Sequence, residues 1–177
     1  MLFPSNPGSY HGNTGLTTDV SAKHFWRRPN GQKPRIHVLP SPEPYRSDDD
    51  HRSDATSTSF SSSSSSFAGS AAESAKAQIE RISAGGQISA FISEALMSHA
   101  GMTTPPPGYL SAVYGAVRAA GGVCIADEVQ IGFGRVGEHF WAFQCHDVTP
   151  DIVTIGKPLG TCTDGARTNM KNALSYV

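Results

Sequence analysis

The sequence predicts an α/β fold in which helices cover both faces of a largely parallel sheet. Short, mainly apolar runs recur along the chain, at positions 88–92, 123–126 and 151–155. Their polarity does not alternate, which is typical of strands that are buried on both faces of a parallel sheet. Segments with helical character lie before and between these runs, as the crossover connections of a parallel sheet require.

The other elements follow from local composition. The stretch RIHVLP at 35–40 predicts a short strand. Residues 50–70 are rich in serine and have almost nothing to bury, so a disordered insert is expected there. The segment 71–86 combines good helix formers with a closing pair of glycines, which predicts a helix. A second helix is expected from Tyr109 to the glycines at 121–122, because apolar residues recur at near-helical spacing after a proline-rich approach.

Composition and charge argue against several classes of function. The 177-residue chain has a formal net charge of -1 and no long basic run, so nucleic-acid binding is not expected. Its three cysteines lack paired spacing and its seven histidines are scattered, so neither a disulfide framework nor a metal site is predicted. Apolar runs are too short for a membrane span and the N-terminus does not resemble a secretory signal. The sequence therefore predicts an intracellular, soluble protein, cytoplasmic or mitochondrial.

Charged residues at the strand ends indicate where chemistry could occur. The run at 123–126 ends in Asp127 and Glu128, and the run at 151–155 is soon followed by Lys157. Ionised groups are costly inside a sheet, but the carboxyl ends of parallel strands share one edge, where ligands bind. An acid and an amine there suit pyridoxal phosphate, whose aldehyde forms an imine with lysine and whose ring nitrogen pairs with a carboxylate. An Asp-Glu pair or a Gly-Lys pair, each taken alone, more often has a structural role than a catalytic one.

Longer stretches extend this hypothesis to a family resemblance. They are YHGNTG, AFISEAL, PPPGYL, GGVCIADEVQIGFGRVGEHFWAF and PDIVTIGKPLG. Together they resemble the class III pyridoxal-phosphate-dependent aminotransferases, above all the branch that contains alanine-glyoxylate aminotransferase 2 and the ethanolamine-phosphate phospho-lyases. The similarity is nearly continuous from Ile88 to Gly160 and weaker from Ser9 to Arg46. It implies part of the large domain of the type I fold, a pyridoxal 5'-phosphate cofactor, an amine or amino acid and a keto acid as substrates, and homodimers.

The resemblance implies roles for five residues. Lys157 would bind the cofactor covalently and move a proton between substrate and cofactor. Asp127 would pair with the pyridine nitrogen, and Gln130 would hydrogen-bond the ring hydroxyl. Tyr10 would stack on the ring, although its local sequence equally suits a partly buried loop tyrosine. Glu94 would support the pocket.

Other polar residues near these motifs receive weaker interpretations. Glu128 is expected to make structural hydrogen bonds, while His11 and Asn13 lie near the expected substrate and are left unassigned. Glycines at 132, 134 and 137 have the spacing of a dinucleotide-binding loop. No helical pattern follows them, so that function is rejected.

The resemblance also implies a partial domain. Residues 1–49 and 71–160 would belong to the cofactor-binding large domain, with the insert at 50–70 between them and an atypical tail at 161–177. The family's phosphate-binding turn has no counterpart, so a truncated chain with weak or no activity is expected. Two alternatives stay open. One is a phospho-lyase that acts on a phosphorylated amine such as phosphoethanolamine, and the other is a non-catalytic fragment that associates with a full-length relative.

Overall fold

The computed structural model of the chain describes residues 3–5, 8–27, 31–40, 42, 64–99, 101–159 and 173–174. The strands in this part of the chain are β1 (Phe3–Ser5), β2 (Ile36–Val38), β3 (Ala90–Ser93), β4 (Val123–Asp127), β5 (Ile152–Thr154) and β6 (Ala173–Leu174). The α-helices are α1 (Gly15–Val20), α2 (Ser64–Gly85) and α3 (Tyr109–Ala119). Short 3₁₀ helices span Ala22–Arg27, Ala142–His146 and Lys157–Leu159.

The strands form one sheet in the order β2-β1-β3-β4-β5-β6. Neighbours from β2 to β5 are parallel, and β6 is antiparallel to β5. The register pairs Asp127, the last residue of β4, with Thr154, the last residue of β5. The carboxyl ends of these two strands therefore lie side by side at one edge.

Packing covers both faces of the sheet. Helices α2 and α3 pack against each other, and with Phe91 of β3 they form the larger apolar cluster. A smaller cluster contains Val20 of α1, Ile36 of β2 and Ile92 of β3. Because successive strand residues point to opposite faces, Phe91 and Ile92 enter different clusters. The predicted α/β class, with a largely parallel sheet between helices, is confirmed.

Helix α3 shows why the sequence pattern was informative. Its buried residues are Tyr109, Leu110, Val113, Tyr114 and Val117. They recur every three or four positions, which places them on one face of a helix. Gly121 follows the helix with φ +80°, a conformation that residues with a side chain rarely adopt. The observed helix therefore ends where the glycine pair predicted.

Helix α2 departs from the prediction at its beginning. It starts at Ser64, so residues 64–70, expected to be disordered, are helical instead. The later turns supply the reason, because Ala75 and Ile79 are buried against the core. Once such a segment is nucleated, each further residue that becomes ordered adds one hydrogen bond, without the cost of forming a new nucleus. The rest of the expected insert, 50–63, lies outside the described residues.

The C-terminal tail was expected to be atypical, and its described part, β6, pairs with β5 and forms one edge of the sheet. Residues 160–172 and 175–177 lie outside the described part of the chain. The proposed domain boundaries stay a prediction. Among the described residues, no helix has the length and apolar character to cross a membrane.

Candidate functional site

Asp127 lies at the shared edge of β4 and β5, with its side chain held at one oxygen by two donors. Thr154 Oγ1 donates to Asp127 Oδ1 at 3.0 Å. The backbone N–H of Val129 donates to the same oxygen at 3.1 Å. Asp127 is only 3% exposed. The neighbouring strand and the turn after β4 thus fix the orientation of this buried carboxyl group.

His11 contacts the other oxygen of the same carboxyl group. Its Nδ1 lies 2.6 Å from Asp127 Oδ2, and the histidine side chain is fully buried. An ionised carboxylate can only accept, so an ionised Asp127 requires the tautomer of His11 that carries its proton on Nδ1. The backbone N–H of His11 donates to Ser21 Oγ at 2.8 Å, which holds the loop in place. Among the described residues, His11 Nε2 has no hydrogen-bond partner although it is buried.

These contacts leave Asp127 able to accept one more hydrogen bond. Oδ1 accepts two and Oδ2 accepts one. A carboxylate has roughly four lone-pair positions, so one remains on Oδ2. A protonated ring nitrogen is a donor with a positive charge, and it fits that position. The donor set around Asp127 therefore suits the role that the family resemblance implies.

Glu128, the adjacent acid, makes contacts of a different kind. It is fully buried, and its two oxygens accept the backbone N–H groups of Ala142 and Phe143, each at 2.9 Å. Burial raises the pKa of Glu128, and these two hydrogen bonds oppose that shift. Both bonds satisfy donors in the first turn of the helix Ala142–His146, which otherwise lack partners. The expected structural role of Glu128 agrees with this geometry.

Tyr10 lies among basic side chains. The Nζ atom of Lys23 is 3.5 Å from the centre of its ring, and the rings of His24 and His99 lie at 5.8 Å and 5.0 Å. The pKa of His99 is lowered, first by burial and then by the positive charges of Lys23 and Lys157. His99 thus contacts the ring of Tyr10 and also experiences the charge of Lys157.

Lys157 and Glu94 lie at the same edge of the sheet. Lys157 is exposed and begins the short helix after β5. Glu94 follows β3, is 5% exposed, and accepts hydrogen bonds from the backbone N–H and the hydroxyl of Ser98. Burial raises the pKa of Glu94, and the charge of Asp127 adds to that shift. The charge of Asp127 therefore acts on the carboxyl group of Glu94.

Glu94, Asp127 and Lys157 lie at or just after the ends of the neighbouring strands β3, β4 and β5. Tyr10 lies beside His99, and Gln130 is half-buried in the turn after β4. Their roles toward a cofactor stay predictions. Sequence reasoning left His11 without a role, and it did not single out Lys23 or His99. His11 directly follows Tyr10 in the YHG motif, and this adjacency was the only signal that could have identified it.

The family profile described as aminotransferase class III matches residues 5–174. The chain belongs to the class III aminotransferases. A relative of this class III chain from Drosophila melanogaster, "Alanine--glyoxylate aminotransferase 2-like", is 44% identical over 156 residues, which are 86% of the chain and 30% of the relative. "Alanine--glyoxylate aminotransferase 2, mitochondrial" from Homo sapiens is 55% identical over 73 residues, 41% of the chain and 14% of the relative.

Solved structures agree with this class III assignment. A "Transaminase with L-ala" superposes with a TM-score of 0.73 at 27% identity and covers 91% of this chain and 35% of its own. A "Phospholyase" from Arthrobacter, in complex with phosphoethanolamine, has a TM-score of 0.66 at 29% identity, over 88% of this chain and 34% of its own. The class III chain thus spans about a third of these structures. The predicted family is confirmed.

Proposed function

We propose that the chain forms part of the cofactor-binding domain of a pyridoxal-5'-phosphate-dependent aminotransferase. The observation that carries this proposal is the shared edge of β4 and β5. There, a buried Asp127 retains one acceptor position, and Lys157 follows on the adjacent strand. Family membership supports the assignment, because both named relatives are described as aminotransferases. When bound, the cofactor supplies an aldehyde that reacts with amines and a ring that takes up electrons.

The residues of the chain have distinct tasks in this proposal. Asp127 accepts the hydrogen of a protonated ring nitrogen and so stabilises its positive charge. Lys157 supplies the amine that holds the cofactor, and when released it moves a proton to and from the substrate carbon. Tyr10 offers an aromatic face to the ring, Gln130 binds the ring hydroxyl, and Glu94 supports the pocket.

The proposed substrates are an amine or amino acid as donor and a keto acid as acceptor. We propose a homodimer as the working assembly, since the family resemblance implies an active site at a subunit boundary. The compartment is proposed to be mitochondrial or cytoplasmic. The human relative's description as mitochondrial supports the first of these.

A phospho-lyase is the second candidate function. The likeness to a phospholyase solved with phosphoethanolamine favours it, at 29% identity and a TM-score of 0.66. Such an enzyme uses the same cofactor but releases phosphate from the carbon beside the amine. For the aminotransferase, we propose that this chain alone is weakly active or inactive. A non-catalytic fragment that associates with a full-length relative is a separate, second alternative.

Covalent trapping tests the cofactor site. The purified chain is mixed with pyridoxal phosphate and reduced with borohydride, and the pyridoxyl group is located by peptide mapping. We expect the label on Lys157, its loss in Lys157→Ala, and its retention on Lys157 in the control Lys23→Ala. A label scattered over many lysines, or no label, would refute the proposed function.

Turnover then separates the candidates. Pyruvate formed from alanine and glyoxylate supports the aminotransferase, and phosphate released from phosphoethanolamine supports the lyase. Selective labelling of Lys157 without either product supports a chain that binds cofactor but does not catalyse.

A further inference from the structure

We propose that Lys23 and His99, which lie around the ring of Tyr10, form a subsite for a phosphate group. The inference deepens the proposed function, because it names a chemical group that the loops after β1 and β3 would bind. Two molecules could carry that phosphate, the amine substrate and the cofactor, and the choice between them rests on the proposed function. The sequence motifs gave no role to Lys23 or His99.

The first observation is that two basic side chains meet at one aromatic ring. Lys23 Nζ lies 3.5 Å from the centre of the Tyr10 ring, and the centre of the His99 ring lies 5.0 Å from it. An ammonium group held on an aromatic face keeps its charge but is already restricted in its movement. It therefore loses less conformational entropy when it binds an anion than a freely moving lysine does.

The second observation is that several positive charges act on His99. Burial lowers the pKa of His99, and the charges of Lys23 and Lys157 lower it further. The charge of His11 acts in the same direction, while that of Asp127 opposes it. Such repulsion between basic groups is relieved when an anion binds among them. A phosphate carries a charge of about −1.5 to −2 at neutral pH, so it compensates two cations where a carboxylate compensates one.

The third observation is that His99 is linked to the buried acid that follows β3. Ser98 donates its backbone N–H and its hydroxyl to Glu94 Oε2. The hydroxyl oxygen of Ser98 lies 3.3 Å from His99 Nδ1, from which it can accept a hydrogen bond. Nε2 then remains as the ring nitrogen that would bind a ligand. Because His99 is exposed, a ligand from solvent can reach it.

These observations predict that phosphate binding and protonation of His99 are coupled. An ammonium and an imidazolium both donate charge-assisted hydrogen bonds to phosphate oxygens. A bound anion favours the charged form of the imidazole, so it should raise the pKa of His99. Conversely, an anion of constant charge should bind more tightly as the pH falls through the pKa of His99.

Histidine NMR of the full chain tests the inference. The pKa of His99 is measured from its ring resonances, which are assigned by their loss in His99→Gln. The probes are phosphoethanolamine and ethanolamine, which differ in the phosphate group. We expect phosphoethanolamine to raise the pKa of His99 and ethanolamine to leave it unchanged. Sulfate, whose charge is constant over this pH range, should bind more tightly at lower pH.

Substitutions of lysine provide a second readout. Lys23→Gln removes the ammonium, and Lys23→Arg retains a positive charge. Lys76→Gln is the matched control, because it removes an ammonium in α2 that pairs with Glu73 at 2.9 Å. Loss of a hydrogen bond to a charged group should weaken binding about 10-fold or more. We expect that loss for phosphoethanolamine in Lys23→Gln, a smaller loss in Lys23→Arg, and the wild-type affinity in Lys76→Gln.

Cofactor trapped on Lys157 by borohydride distinguishes the two sources of phosphate. Chains trapped with pyridoxal phosphate and with pyridoxal, which lacks the phosphate, are compared. If the cofactor phosphate fills the subsite, the pKa of His99 is higher in the first chain and phosphoethanolamine does not change it further. If the substrate phosphate fills it, the pKa of His99 is equal in both chains and rises with phosphoethanolamine. Trapping at saturating cofactor labels Lys157 in Lys23→Gln in either case.

The failure of the inference differs from the failure of the proposed function. A wild-type chain labelled on Lys157, in which neither phosphate changes the pKa of His99, would overturn the inference alone. Equal losses of affinity in Lys23→Gln and Lys76→Gln would also overturn it. An unlabelled Lys157 with a His99 that still responds to phosphoethanolamine would refute the proposed function and support the phosphate subsite.

Discussion

Replacement of Gly132 by alanine tests how tightly the loop after β4 is packed behind Asp127. A Cβ atom at this position would lie 2.9 Å from the carbonyl oxygen of Glu128 and 3.1 Å from the ring of Trp141. The same carbonyl oxygen accepts the N–H of Gly132 at 3.0 Å, so the two backbones are already linked. The ring of Trp141 packs edge-on against Phe140, with ring centres 4.7 Å apart. No neighbour of the new methyl group can therefore move easily.

The magnitude follows from two opposing effects. Overpacking of this kind costs ~1–3 kcal/mol. Alanine also reduces the entropy of the unfolded chain, which stabilises the fold by ~0.4–1 kcal/mol. The net loss in free energy of unfolding is about 1–2 kcal/mol, which corresponds to a fall of about 2–8 °C in melting temperature for a chain of this size.

Gly115→Ala is the matched control. Gly115 lies in α3, and a Cβ atom there meets nothing within 4 Å. Alanine should therefore stabilise the chain by about 0.5–1 kcal/mol through helix propensity alone. Both variants replace a glycine by alanine, but we expect the free energy of unfolding to fall in Gly132→Ala and to rise in Gly115→Ala.

Urea unfolding followed by tryptophan fluorescence and circular dichroism measures both variants. Because Glu128 directly follows Asp127, a shift of its backbone also displaces the Asp127 carboxyl group, which is proposed to face the cofactor. Gly132→Ala should thus weaken pyridoxal phosphate binding, and Gly115→Ala should not. A Gly132→Ala chain as stable as wild type would refute the packing argument.

Three further predictions concern titratable groups. Burial raises the pKa of the Cys124 thiol to about 12, whereas Cys145 is exposed, so iodoacetamide should alkylate Cys145 faster than Cys124 in the folded chain; equal labelling rates of these two cysteines by mass spectrometry would contradict this. Burial raises the pKa of Glu94 above its ordinary 4.5, so its contribution to stability is full below that value and falls as pH rises. Glu94→Gln should remove this pH-dependent loss of stability, as measured by urea unfolding at several pH values. An unchanged dependence of stability on pH would contradict the role of Glu94. Hydrogen bonds from the backbone of Cys124 and the side chain of Arg118 outweigh the effect of burial and lower the pKa of Asp151 below 3.8. The contribution of Asp151 to stability is therefore present above pH 3.8 and is lost as the pH falls. Asp151→Asn should be less stable than wild type at neutral pH and less sensitive to acid; equal acid sensitivity would exclude the role.

Local pattern predicted the core elements well because each carries its own signal. The apolar stripe and glycine stop of α3 need no distant partner to be recognised, and the same holds for the apolar strand β4. The start of α2 was predicted less well. Its serine-rich first turns carry no helical signal of their own. They are helical because they extend a helix whose later turns are stabilised by burial.

Some of the candidate site residues could also be predicted from the sequence. Asp127 and Lys157 attract attention because charge at the end of an apolar strand needs an explanation. Lys23 and His99 carry no such signal, since a basic residue in a loop is ordinarily solvated. Only the folded chain shows that both lie beside Tyr10.

By itself, the sequence determined the α/β class, the family and the strand ends at which the candidate residues lie, because apolar runs and family motifs are local. The tertiary structure decided which groups meet. His11 and Asp127 are 116 positions apart, and their hydrogen bond depends on the loop after β1 reaching the carboxyl end of β4. The two adjacent acids, Asp127 and Glu128, also received their different partners only on folding. Asp127 accepts hydrogen bonds from His11, Val129 and Thr154 at the sheet edge. Glu128 instead accepts two backbone N–H groups of a neighbouring helix.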